Sequence, residues 1–149
     1  MNTYTLESFI NFCDDMQIVE EAINFKSVMS MVSRAINQIV SFIRSIPSRV
    51  SAFISKKFKG NTDSAEYKKS VEKSKTLMEQ INNATDKLNE CNAKMKQMQN
   101  QNDENMSKLD QLQKQAESIA QSVINSTKSI DPSFQSEMQT YFDKSYKTV

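Results

Sequence analysis

The sequence predicts an all-α, elongated protein: one long coiled-coil helix, a kinked cationic amphipathic helix and short terminal helices. Three observations lead there. Helix breakers are almost absent, with one Gly and two Pro in 149 residues, while Met, Lys, Gln and Glu are plentiful. Only 38% of residues are hydrophobic, few for a compact globule, so the chain is expected to bury a seam instead. The third observation is an apolar repeat of alternating three- and four-residue steps through the second half of the chain.

Residues 1–20 form an acidic leader or short helix, in which Leu6, Phe9, Ile10 and Cys13 fall at helical spacing. Residues 21–60 read as a cationic amphipathic region. On a helical wheel, Phe25, Val28, Val32, Ile36, Ile39, Ile43 and Ile46 share an arc of about 80°. Lys26, Arg34 and Arg44 lie opposite, and Arg49, Lys56, Lys57 and Lys59 extend the cationic face. Pro47 is expected to break or kink this helix after Ile46, because Pro lacks a donor and clashes with the preceding turn. A shorter helix would then run from Ser48 to Phe58, with Gly60 as its cap.

Residues 63–130 carry the coiled-coil signal, opened by Asp63 and Glu66 in capping-box spacing. From Tyr67 to Ile130 the repeat marks 19 positions, of which 14 are apolar; only seven of the other 48 residues between Ser64 and Ile130 are. Its seam includes Leu77, Ile81, Leu88, Met95, Met98, Asn102, Leu109, Leu112, Ile119 and Val123. One continuous helix of this length would span roughly 100 Å. The polar run from Gln97 to Asn105 admits two readings: a polar layer that sets register, or a hairpin turn. The phase survives the run and no Gly or Pro occurs there, which favours the continuous helix. Residues 131–149 form a C-terminal helix, with Asp131 as N-cap, Pro132 at its first position, and Phe134, Met138, Tyr141, Phe142 and Tyr146 to dock it.

The composition argues against enzyme chemistry. There is no His, so the usual general base and commonest metal ligand are missing. A chain with one Gly cannot supply a glycine-rich phosphate loop. Cys13 and Cys91 form no CxxC pattern and read as packing residues in a reducing compartment. No catalytic residue, metal site, cofactor or small-molecule substrate is expected. No signal peptide is visible, and the longest uncharged apolar stretch, Ala35 to Ile43, is too short to span a bilayer.

Charge is segregated into blocks. Residues 1–21 hold five acids and no base, and residues 22–62 hold seven bases and no acid. The basic region offers three roles: packing with a solvated charged face, binding an anionic membrane surface, or contacting nucleic-acid phosphates.

The first residues, Met1-Asn2-Thr3-Tyr4 followed by Phe9-Ile10, resemble the capsid-targeting segment of internal head proteins in T-even-type tailed phages. The resemblance covers about 20 residues. It implies removal of the segment by a prohead protease that cuts after Glu in an Ile/Leu-x-Glu pattern. Ile18-Val19-Glu20 fits that pattern, with Glu21 as the new N-terminus. Removing residues 1–20 takes away four acids and no base, so a net charge of +1 becomes +5. The resemblance thus leads to a virion-associated structural or assembly protein, in the virion or the host cytoplasm, that pairs with itself or with other helical proteins. DNA is a further partner through the basic region. The alternative reading is a peripheral membrane-binding coiled-coil protein acting through residues 22–58.

Overall fold

The computed structural model describes residues 17–98 and 103–146, with side-chain surroundings from Phe25 onward and again from Glu104. All the regular structure in them is helical: α1 (Gln17–Phe58), α2 (Ala65–Lys96), α3 (Asp103–Ser126), a 3₁₀ turn (Thr127–Ser129) and α4 (Pro132–Tyr146). The acidic segment Leu6–Met16 lies outside the described residues.

The α1 helix is 42 residues long, roughly 63 Å. It is continuous through the candidate boundary at residue 20 and through Pro47, so of the expected break or kink after Ile46 the break does not occur. Pro47 leaves the Ile43 carbonyl without its usual donor, at a cost of about 3 kcal/mol. The flanking Ile46, Val50 and Ile54 are 6% exposed or less, and burying each stabilises by about 1.5–3 kcal/mol. Packing on both sides of the proline therefore outweighs it.

At the end of α1 the chain turns through Lys59 and Gly60, at φ 46° and 84°. Gly60 occupies the left-handed region at no steric cost, which suits it to end a helix. The cap of α2 is Ser64, whose Oγ accepts from the Tyr67 N–H at 3.1 Å, and not Asp63 as the capping-box spacing suggests. Ser64 stands immediately before the first helical residue, where its hydroxyl reaches an orphan N–H of the first turn.

The span read as one continuous coiled-coil helix is divided. The α2 helix ends at Lys96, and the Gln97 and Met98 N–H groups bond back to the Ala93 and Met95 carbonyls at 3.2 and 3.1 Å. A separate helix, α3, starts at Asp103 and packs against both α2 and α1. Ala84 and Val123 line one cleft between the two arms, so α2 and α3 form an antiparallel hairpin. The physical reason lies in α1. Folding the seam back lets both of its arms, as well as the last helix, pack against α1. Ile36, Ile39, Ile43 and Ile46 are fully buried where the three helices meet.

The remaining pairings follow. Asn92 Nδ2 donates to Asn37 Oδ1 at 3.3 Å, and Phe58 meets Tyr67 edge-on at 5.6 Å, so α1 and α2 are antiparallel. The α4 helix folds back on α1 and α3. Phe134 packs on Phe53 at 5.1 Å and Phe142 on Phe42 at 5.0 Å between ring centroids. Gln121 donates to Gln139 at 2.7 Å, and Tyr146 donates to Glu117 at 2.7 Å. One apolar core runs from Phe25 to Phe142, contributed by all four helices.

Asp131 caps α4. Its Oδ1 accepts from the Ser133 N–H at 2.8 Å and the Ser133 hydroxyl at 2.7 Å, while Oδ2 pairs with Lys57 Nζ at 3.0 Å. The Ser133 hydroxyl, then Lys57, then the Ser133 amide hold its pKa down at about 2. The charged form is thus favoured by folding, and that stability is present above the ordinary carboxylate range near pH 4. It is lost as pH falls from about 4 towards 2. Asp131→Ala is expected to cost about 1 kcal/mol at neutral pH, read from urea midpoints. The gap from the parent chain should narrow at pH 2.5; a constant gap would mean the carboxylate charge contributes nothing.

Candidate functional site

Lys26, Arg34 and Arg44 occur at spacings that place them opposite the core stripe, whereas Arg49 flanks it and Lys57 continues the line of Ile46, Val50 and Ile54. Lys26, Arg34, Arg44, Lys56 and Lys57 are exposed, as is Lys59 just beyond the helix, and Arg49 is half-buried. From Lys26 to Lys57 the helix contains no acidic residue. Between the bases, the exposed positions are mostly hydroxyls: Ser27, Ser30, Ser41, Ser48, Ser51 and Ser55. The outcome is a broad band of cations and small hydroxyls on the outer side of α1, about 45 Å long from Lys26 to Lys56.

Two of these cations are tied to α4. The Arg49 guanidinium lies 3.8 Å from the centre of the Tyr141 ring, a cation–π contact of about 0.5–1 kcal/mol at such a site. Its Nε donates to Ser45 Oγ at 3.3 Å, and Ser45 Oγ donates to the Phe42 carbonyl at 2.6 Å. Phe42 stacks on Tyr141 at 5.7 Å, so the guanidinium is positioned by a ring that is itself held. Lys57 is engaged by Asp131. Among the described residues, Lys26, Arg34, Arg44 and Lys56 have no carboxylate at ion-pair distance. A cleft of about 620 Å³ opens along this face where α4 ends, lined by Ser30, Arg34, Asn37, Ser41, Tyr141 and Ser145 among others.

The seam residues are brought together, though within one chain. Leu77, Ile81, Leu88, Met95, Leu109, Leu112 and Val123 are buried in the core, and Met98 and Ile119 pack against it partly buried. Asn102 lies outside the described residues. Cys91 is a free, buried thiol whose pKa is pushed up by that burial. Burial, followed by the bond to Glu117, pushes Tyr146 up to about 12. Ile18, Glu20 and Glu21 stand in the first turns of α1. Among the residues whose burial is described, the core begins at Phe25.

The apolar stripe read as a membrane-facing surface is covered by the other helices. No described helix is long and apolar enough to cross a membrane. Among the described residues no three His, Cys, Asp or Glu side chains are grouped to share a metal ion.

Sequence reasoning missed Tyr141 as the partner of Arg49, and it missed the serines as part of the cationic face. The serines carried a usable signal: they recur on the same helical face as the bases. Tyr141 carried none, because its contact is tertiary. No protein-family model, curated protein or solved structure matches the chain.

Proposed function

We propose that this chain is a non-enzymatic structural or assembly protein, of the internal or prohead kind associated with tailed-phage virions, whose acidic N-terminus is removed after Glu20. The observation that carries this reading is the position of the cut. The Glu20–Glu21 bond falls in the first turn of α1, ahead of Phe25, the first described core residue. The Glu21 N–H stands just past the orphan amides of the first turn, and helix ends fray by a residue or two, so local opening of that end would expose the bond to a protease. Cleavage there would leave every described core contact in place. It would also leave a chain of net charge +5.

Assembly with copies of itself or with other helical proteins would use outer surfaces, since the seam of residues 67–130 is already occupied within one chain. The test is the intact mass of the protein isolated from its native source. A chain beginning at Glu21 is expected. A chain beginning at Met1 would overturn the processed-virion reading.

A further inference from the structure

We infer that the outer face of α1 is a docking surface for the phosphate backbone of a double-stranded nucleic acid, which lies along the helix and is bound without regard to its base sequence. The face exists whether or not the chain is cut after Glu20, so it does not depend on the virion reading.

Four features of the face point to that partner. First, α1 itself carries six bases and no acid between Lys26 and Lys57; Asp131 and Glu137 line a cleft at its Lys56–Lys59 end, so the cationic stretch from Lys26 to Arg44 is the purest. Exposed charges on the other helices are of mixed sign, as with Glu104–Lys108 and Asp110–Lys114, which pair at 3.0 and 2.9 Å. Second, Lys26, Arg34, Arg44 and Lys56 have no carboxylate at ion-pair distance among the described residues, so an incoming phosphate displaces no carboxylate of those residues. Third, apart from Met31, most of the exposed residues between them are small. Ser27, Ser30, Ser41, Ser48 and Ser55 let a backbone approach closely and can donate to phosphate oxygens, as such side chains do in protein–DNA contacts. Fourth, the face is linear. About 45 Å of helix matches some thirteen base pairs at about 3.4 Å each, along which a duplex offers one negative charge per ~1.7 Å.

A bilayer is the poorer match. Helices that bind a membrane interface sink their apolar side into it, and that side of α1 is the protein core, with Ile36, Ile39, Ile43 and Ile46 fully buried. Single-stranded nucleic acid is also disfavoured, because it is gripped by free aromatic faces. Among the described residues, the exposed ring beside the face is Tyr141, which already has Phe42 and Arg49 against it.

The experiment uses the full chain and a fluorescein-labelled 30-base-pair duplex of mixed sequence, followed by anisotropy across a salt series. Four outward cations predict a log–log salt slope of about −3.6, at about −0.9 per phosphate neutralised. The double variant Arg34→Glu with Arg44→Glu is expected to weaken binding at least tenfold at about 50 mM salt, where such contacts are strongest. The control, Lys87→Glu with Lys94→Glu, changes net charge equally on exposed positions of α2 and should weaken it no more than about threefold, through the general field. All four positions are exposed, and circular dichroism checks that both variants stay folded. Three results would overturn the proposal: no duplex binding at low salt, equal losses in the two double variants, or binding to phosphatidylserine vesicles that is as tight as to the duplex and equally sensitive to Arg34→Glu. The last would assign the face to lipid headgroups.

Discussion

Ile39→Asp is expected to unfold the chain. Ile39 is fully buried at the centre of the α1 stripe, with Ile36, Ile43 and Phe42 as its buried neighbours along the helix. Truncation to Ala alone would cost about 2–5 kcal/mol through lost contacts and the cavity left behind. A carboxylate there must either be buried charged or be protonated at a further cost of several kcal/mol. A domain of this size holds about 5–15 kcal/mol in total, so the substitution removes most or all of it. Circular dichroism should show loss of helix or of cooperative thermal unfolding. An equally buried position on the facing arm, Leu88, should respond the same way to Leu88→Asp, because the two face one core.

The outcome also bears on membrane binding. If the α1 stripe served to insert into lipid, Ile39→Asp would leave a folded protein that had lost liposome binding alone. Unfolding in solution, with no lipid present, would assign the stripe to the core. A folded, cooperative Ile39→Asp protein would contradict the packing described above.

What could be read from the sequence follows from how local each signal was. The α1 stripe, the seam positions and the Asp131–Pro132 start of α4 are one-dimensional patterns. A residue such as Leu77 or Ile81 is apolar because its helical face is buried, and that holds whichever helix does the burying. The division of the seam at Lys96 was not legible for the same reason. Met95, Met98, Asn102, Asn105 and Leu109 keep one phase across the break, and Gln, Asn, Asp and Glu are compatible with a helix as well as a turn. What distinguishes the two is tertiary: both arms pack against α1, a long-range contact that no local pattern carries. Pro47 acted in the opposite direction: a break after it was one of the two expected outcomes, and its local cost is real, but tertiary packing of Ile46, Val50 and Ile54 keeps the helix continuous. In the candidate site, the bases were legible from charge segregation. The Arg49–Tyr141 and Lys57–Asp131 pairings, which separate tied cations from outward ones, depend on where α4 returns.

The hairpin makes a geometric prediction with a large difference between its alternatives. Asn83 and Ser122 are exposed and line the same cleft between α2 and α3. Packed helix axes lie about 8–10 Å apart, so spin labels at these two positions should report a short distance, broadened only by their own linkers. In one unbroken helix the 39 intervening steps would separate them by roughly 58 Å. The experiment replaces Cys13 and Cys91 by Ser and Ala, introduces Asn83→Cys and Ser122→Cys, and measures the label distance by pulsed electron resonance. Diluting labelled protein into excess unlabelled protein separates contacts within a chain from contacts between chains. A short distance that survives dilution is expected, because the α1 stripe needs both arms of its own hairpin. A short distance that disappears on dilution would mean that the arms pair between copies. A distance near 58 Å would restore the straight coiled-coil helix, and the core of α1 would then have to be covered by other chains.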